Sequence, residues 1–370
     1  MSGAIPFIDL QAQRNRIEAS VRRRMDAVIE AGAFINGQEV TELEAELSRF
    51  TGAPYAIACA NGTDALQIAL MAIGLQPGDE VITPSFTFIA TAEAIALLGG
   101  RPVFVDVDAR TYNIDPELIE AKITPRTRAI MPVSLYGQCA DMDAIQAIAD
   151  RHGLVVIEDA AQSFGASYKG RRSCNLSKIA CTSFFPSKPL GCYGDGGMIF
   201  TQDATLADRL RMIRGHGSKK RYFHEVVGVN SRLDTLQAAI LLAKMEIFED
   251  EIRLRQEAAS RYQELLSHFV ETPRIEEHNL SVYAQYTIRV RDRGRDHVMK
   301  ALEAHGVPTT VHYPMALNLQ PAMRAYGQAE GTCPISERAG GEVMSLPFHP
   351  YLTEEVQMRI ANALRIALGA

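Results

Sequence analysis

Short apolar runs alternate with longer segments whose apolar positions recur at helical spacing, and the alternation extends over roughly two thirds of the chain. Ile17, Val21, Met25 and Ile29 stand four apart, which predicts an amphipathic helix from about Gln11 to Glu30, preceded by a short arm at Ile5–Leu10 and stopped by Gly32. Leu43 and Leu47 predict a second helix over Val40–Phe50. The apolar runs beginning at Tyr55, Glu80, Val103, Ala129 and Leu154 read as strands, with helices after Asp64, over Phe88–Leu98 and over Met142–Asp150 between them. Ile179–Phe185 and Gly196–Phe200 add two more strands, and Asp203–Arg211 a helix. Leu233, Leu236, Ile240, Ala243 and Ile247 then line one stripe of a long helix reaching about Asp250.

Strands of this kind separated by helices imply an α/β fold with a mostly parallel sheet covered on both faces. In such a sheet, ligands bind beyond the carboxyl ends of the strands. Past Glu251 the pattern changes: a strand at Tyr283–Val290, a helix at Val298–Ala304, a turn through Val307–Pro314, a kink at Pro347–Pro350 and a last helix from Thr353. The expected division is therefore an amino-terminal arm and large domain over 1–250 and a small domain over 251–370.

Composition narrows the function classes. Net charge is −6, which argues against wholesale nucleic-acid binding. The clustered Arg14, Arg16, Arg22, Arg23 and Arg24 read as a solvated or subunit-facing surface. Six cysteines show neither metal-ligand spacing nor the density of a secreted disulfide scaffold, so no metal centre is expected and a reducing cytoplasm is the simpler setting. The first residues lack a basic region followed by an apolar core, and no apolar stretch has the length of a membrane span, so membrane insertion is not expected.

The chemistry concentrates between Val155 and Gly197. Val155-Val-Ile-Glu-Asp159 is a strand ending in carboxylates, and Lys188 lies between an apolar strand and a rigid Pro-Leu-Gly run followed by Gly194-Asp-Gly-Gly197. A lysine amine that can form an imine and an aspartate that can hold a ring nitrogen protonated are the two charges pyridoxal phosphate needs. The small-residue turn Asn61-Gly62-Thr63 opens a helix, where free backbone amides can receive a phosphate. Taken singly, each residue has a plainer reading: Asp159, Gln162 and Ser183 as local caps, Phe88 as core, and Arg232 as the partner of Asp234 in an ion pair. The basic stretch Arg214–Arg221 reads as a solvated loop or an anion-facing lid.

In their order along the chain, Asn61-Gly-Thr-Asp64, Gly78–Pro84, Glu158-Asp-Ala-Ala-Gln162-Ser-Phe-Gly-Ala166, Ser183-Phe-Phe-Pro-Ser-Lys188, Gly194–Gly197 and Asn230-Ser-Arg-Leu-Asp234 resemble the DegT/DnrJ/EryC1/StrS sugar aminotransferases, of fold type I. The resemblance implies a seven-stranded central sheet, a smaller carboxyl-terminal α/β domain, and pyridoxal 5′-phosphate cycling through pyridoxamine 5′-phosphate. It makes Lys188 the imine-forming lysine and proton shuttle, pairs Asp159 with the ring nitrogen, sets Gln162 beside the phenolic oxygen and places Phe88 over the ring. Phosphate would meet Gly62, Thr63, Ser183 and, from a second subunit of a homodimer, Asn230.

Ser134-Leu-Tyr-Gly-Gln-Cys-Ala140, Ser173-Cys-Asn175 and Cys181–Tyr193 are similar to a subgroup that aminates UDP-2-acetamido-2-deoxy-3-oxo-D-glucuronate with L-glutamate, for lipopolysaccharide O-antigen. Ser231 and Pro189 depart from the broader family and agree with that subgroup. On this resemblance Arg232, from the second subunit, would hold the sugar carboxylate, with His312 and Tyr313 nearby. The alternatives are another nucleotide-linked keto sugar and a non-catalytic regulatory homolog.

Overall fold

The computed structural model describes residues 4–291, 294–326 and 329–369. Helix α1 (Leu10–Ala31) begins where the Asp9 carboxylate accepts the Ala12 N–H at 2.8 Å and ends at Gly32, whose φ of 64° is the left-handed cap that glycine takes without strain. Helix α2 (Gln38–Thr51) buries Val40, Leu43 and Leu47. There follow β1 (Tyr55–Cys59), α3 (Gly62–Ala72), β2 (Glu80–Pro84), α4 (Ala90–Leu97), β3 (Arg101–Val105), β4 (Thr127–Ile130), α5 (Met142–His152), β5 (Val155–Asp159), β6 (Ile179–Ser183), β7 (Gly197–Thr201) and α6 (Ala204–Arg214).

These seven strands form one sheet in the order β1-β7-β6-β5-β4-β2-β3. Only β7 runs against the rest, pairing antiparallel with both β1 and β6. The reason is local: β6 returns as β7 through the loop 184–196 with no crossover helix, so Ser183 faces Gly197 across the pair. Side chains alternate between two cores. Ile57, Ile157, Ile179 and Ile199 join Leu66 and Leu210 on one face, while Ala56, Val156, Ala180 and Phe200 join Leu43, Phe164 and Phe248 on the other.

Helix α7 runs from Thr235 to Leu266, well beyond the expected end near Asp250. Its charged middle hides the continuation, because two of the charges there are buried and partnered. Glu251 accepts from Gln13 Nε2 at 3.0 Å and from the Tyr351 hydroxyl, and Arg255 donates to the Tyr283 carbonyl at 3.2 Å. The last turns carry Ala258, Ala259, Tyr262 and Leu266 into a third core with Tyr286, Ile288, Leu346 and Leu364. That core is built on β8 (Tyr286–Arg289) paired antiparallel with β9 (Val343–Leu346), and on α8 (Arg295–Ala304) and α10 (Glu354–Leu368). Helix α9 (Pro334–Glu342) and β9 have no counterpart in the pattern analysis.

The basic loop is a short hairpin, Ser218–Lys220 against Phe223–His224, with Tyr222 exposed at its tip. All six cysteines are free and buried. Among the described residues no helix is long and apolar enough to cross a membrane, and no three potential metal ligands come together.

Candidate active site

A cavity of about 670 Å3 opens beyond the carboxyl ends of the strands, lined by Gly62, Thr63, Phe88, Asp159, Gln162, Ser183, Lys188, His312 and Tyr313 among others. Asp159 is the last residue of β5 and is buried. Its carboxylate accepts from the Thr91 hydroxyl at 2.8 Å and from the Ala161 N–H at 3.1 Å, which fix its orientation. Burial raises its pKa, opposed by those two donors and by the Lys188 ammonium.

Lys188 sits in the loop between β6 and β7. The loop is tight: the Lys188 N–H donates to the Phe185 carbonyl at 2.9 Å and the Cys192 N–H to the Phe184 carbonyl at 2.7 Å. A side chain at Gly191 would stand 2.7 Å from the carbonyl oxygens of Phe185 and Pro186, so only glycine admits this closure. Nζ has no hydrogen-bond or ion-pair partner among the described residues. Burial lowers the pKa of the amine, with Asp159 acting in the opposite sense. A lysine so placed is shifted toward its neutral, nucleophilic form.

The third part is the amino end of α3. Asn61 caps it by accepting the Asp64 N–H at 2.8 Å, leaving the Gly62 and Thr63 amides without acceptors among the described residues. Gly62 is required here by approach: a Cβ would lie 2.7 Å from Ser183 Cβ. Two bare amides and the Ser183 and Thr63 hydroxyls therefore line one concave end of the cavity, a fitting receptor for a phosphate. With Asp159 and Lys188, the set matches the charges of pyridoxal phosphate from end to end.

Gln162 is held by a residue the sequence did not single out. Its Oε1 accepts the Tyr136 N–H at 2.9 Å, so its amide nitrogen is turned to the Tyr313 hydroxyl at 3.1 Å. Tyr136 also donates from its hydroxyl to the His312 carbonyl. His312 Nδ1 lies 2.8 Å from Ser345 Oγ, and burial, helped by Lys188, lowers its pKa to about 4, so the ring is neutral near pH 7. Burial holds the Tyr313 phenol protonated. Phe88 is 52% exposed and overhangs the cavity, its ring 6.0 Å from that of Tyr313. This exposure corrects the reading of Phe88 as core: it sits in the loop between β2 and α4, and its ring is half exposed.

Asn230 and Arg232 do not line this chain's cavity. Asn230 is exposed and bridged to Gly215. The ion pair between Arg232 and Asp234 does not form: Asp234 stands exposed just before α7, while Arg232 Nε is buried with no partner among the described residues. The intervening Ser231 is buried and accepts the Ala60 N–H at 3.1 Å, which ties this loop to the end of β1 instead. Thr91 had one legible signal, a hydroxyl in an otherwise small and apolar helix. Tyr136 lies in the Ser134–Ala140 motif, but nothing in that motif showed its role, which depends on a left-handed backbone at φ 55°.

Residues 15–365 match the DegT/DnrJ/EryC1/StrS aminotransferase family. A Pseudomonas aeruginosa protein named UDP-2-acetamido-2-deoxy-3-oxo-D-glucuronate aminotransferase is 62% identical over 349 residues, covering 94% of this chain and 96% of its own. The Acidithiobacillus ferrooxidans UDP-N-acetyl-3-dehydro-alpha-D-glucosamine 3-aminotransferase is 44% identical over 366 residues, 99% of this chain and 98% of its own. The crystal structure of S. venezuelae DesV in complex with a ketimine intermediate superposes with a TM-score of 0.97 at 39% identity, covering 100% of both chains. The chain belongs to the DegT/DnrJ/EryC1/StrS aminotransferase family.

Proposed function

We propose that this family member transfers the amino group of L-glutamate to C3 of UDP-2-acetamido-2-deoxy-3-oxo-D-glucuronate, giving UDP-2-acetamido-3-amino-2,3-dideoxy-D-glucuronate and 2-oxoglutarate. The observation that carries the reading is the meeting, in one cavity, of a partnerless lysine of lowered pKa, a buried carboxylate aimed by two donors, and bare amides at a helix end. The 62% identity to the P. aeruginosa enzyme supports the choice of acceptor. Pyridoxal phosphate, when bound, would supply an aldehyde that takes up amines and a ring that accepts electrons from the carbon losing its proton.

The residues divide that work. Lys188 gives up the aldehyde to the incoming amine, and its freed Nζ removes the α proton of glutamate and later delivers a proton to sugar C3. Asp159 holds the ring nitrogen protonated, and a cationic N–H placed there favours the carboxylate that burial alone disfavours. Gln162 donates to the phenolic oxygen through its amide nitrogen, which Tyr136 turns inward and which carries a second N–H beside the one directed at Tyr313. Gly62, Thr63 and Ser183 hold the phosphate, and Phe88 covers one ring face.

Asn230 and Arg232 act across a homodimer in this reading: they are absent from their own chain's cavity, and Arg232 keeps a buried donor unused. Arg232 from the second subunit then grips the uronic-acid carboxylate, beside His312 and Tyr313. The six free thiols suit a cytoplasmic enzyme, with its product directed to lipopolysaccharide O-antigen.

The test is a defined assay with L-glutamate and the UDP-3-keto-glucuronate, following 2-oxoglutarate and the 3-amino sugar together. Stoichiometric formation of both is expected. Faster turnover of the neutral UDP-N-acetyl-3-dehydro-glucosamine, the sugar named for the A. ferrooxidans relative, would replace the acidic acceptor with the neutral one.

A further inference from the structure

A second cavity, of about 470 Å3, lies between the loops that follow β3 and β4 and the segment 271–289 that leads into β8. Three of its wall residues, Tyr112, Tyr136 and Tyr283, have φ values of 59°, 55° and 44°. Left-handed backbone at a bulky side chain costs on the order of 1–3 kcal/mol and persists only where the surroundings enforce it, commonly around a ligand. Here three such residues surround one void.

The polar groups of the cavity are unevenly satisfied. Gln285 reaches both this cavity and the Lys188 cavity, and its Oε1 is buried without a donor. A buried acceptor left alone is unfavourable, and an N–H on an occupant would satisfy it. At the rim, Arg110 and Arg274 are both exposed; Arg110 stands 3.4 Å from Glu276 and 3.6 Å from Asp108, and Arg274 3.8 Å from Glu276, long contacts that leave further guanidinium donors for an anion. Three tyrosines in the lining, an orphan acceptor on Gln285 and two guanidiniums at the mouth suit an aromatic ring bearing an N–H and carrying phosphate.

We propose that this cleft is a second binding site, for a pyrimidine nucleoside diphosphate, with the base among Tyr112, Tyr136 and Tyr283, its N–H on Gln285 Oε1, and the phosphates at Arg110 and Arg274. The site is distinct from the Lys188 cavity and rests on the proposed transamination only for the choice of uridine as base. Its wall is shared with the reacting site: the Tyr136 ring meets Tyr112 edge-on at 6.0 Å, while its N–H orients Gln162 and its hydroxyl holds the His312 carbonyl. Occupancy of the cleft is thereby coupled to the group that faces the cofactor's phenolic oxygen.

Crystals of the holoenzyme soaked with 5-bromo-UDP test the assignment directly, because the anomalous signal locates the base whether or not the protein transaminates. A bromine peak among the three tyrosines is expected; a peak confined to the Lys188 cavity, or no peak, overturns the proposal. In solution, calorimetry of UDP with the holoenzyme should resolve a second site per chain, and Arg274→Glu, at an exposed position, should weaken that site by about tenfold or more while the other is unchanged. Binding of inorganic pyrophosphate as tight as that of UDP would overturn the role given to the tyrosines. Equal UDP binding by wild type and Arg274→Glu would overturn the phosphate contact.

Discussion

Glu158 and Asp159 are adjacent in β5, both buried, and they face opposite sides of the sheet. Asp159 points into the open cavity, where two donors hold it and the Lys188 amine acts on it only through its charge. Glu158 is sealed on the core face, accepting from Ser134 Oγ at 3.1 Å, Ser173 Oγ at 2.8 Å and the Cys174 N–H at 3.1 Å, and burial raises its pKa to about 6. The same contrast holds for two lysines. Lys244 is buried on α7 with its ammonium 4.7 Å from the centre of the Tyr193 ring, and its pKa is lowered to about 8, yet it lines no described cavity. Desolvation alone therefore does not mark a reactive group; desolvation beside open space and a matching charge does.

The lysine half of this contrast is the easiest to break. Lys188→Ala should lower transamination by about 10^4-fold or more, whereas Lys244→Met should keep the visible absorbance of the loaded enzyme and most of its turnover. Comparable losses in the two variants, measured as 2-oxoglutarate released, would erase the distinction. The carboxylate half follows. Asp159→Asn should reduce kcat by about 10^2- to 10^3-fold with cofactor still bound, because it removes a charge that acts on the reacting ring. Full turnover would place the ring nitrogen elsewhere.

Arg232→Ala sharpens the comparison between groups used within one chain and the groups we propose are lent across subunits. It should cost about 2 kcal/mol or more of preference for the acidic over the neutral sugar, read as a ratio of kcat/KM values. Complementation by mixing the Lys188→Ala and Arg232→Ala proteins should restore activity if the two residues serve one site from different chains.

The core face is tested by stability. A carboxyl whose folded pKa is about 6, above its ordinary 4.5, binds a proton in the native state before the unfolded state does. The stabilisation it provides is complete below about pH 4.5 and lost as pH rises through 6, about 2 kcal/mol over that window. Denaturant titrations should show this slope in wild type and a flatter one in Glu158→Gln, with transamination at pH 8 little changed. Tyr136→Phe gives the smallest effect: it keeps the N–H on Gln162 and removes the hydroxyl from the His312 carbonyl. About 1 kcal/mol in KM is expected, with kcat nearly intact.

Much of this was legible along the chain. Tyr55, Val155 and Ile179 head runs whose apolar content suits a doubly covered sheet, and Asp159, Gln162, Ser183 and Lys188 stood out by motif. All four line the one cavity. Helix α9 and β9 escaped because Pro334–Glu342 carries Gly340 and Gly341 and shows little apolar period, and its place depends on Asp106 accepting the N–H groups of Ile335 and Ser336 at 2.8 Å. The end of α7 escaped because Glu251 and Arg255 look like surface and are core.

Local order, then, determined the strands, the helix ends at Gly32 and Asn61, and which residues could carry imine chemistry, since these depend on side-chain period and on backbone freedom at single positions. What the tertiary structure alone decided is where those residues face: that Asp159 opens on the cavity of Lys188 while Glu158 meets serines, that Tyr136 turns the amide of Gln162, and that Arg232 does not reach Asp234 but buries its Nε. Those outcomes depend on distances between segments far apart in the chain, and no local pattern encodes a distance of that kind.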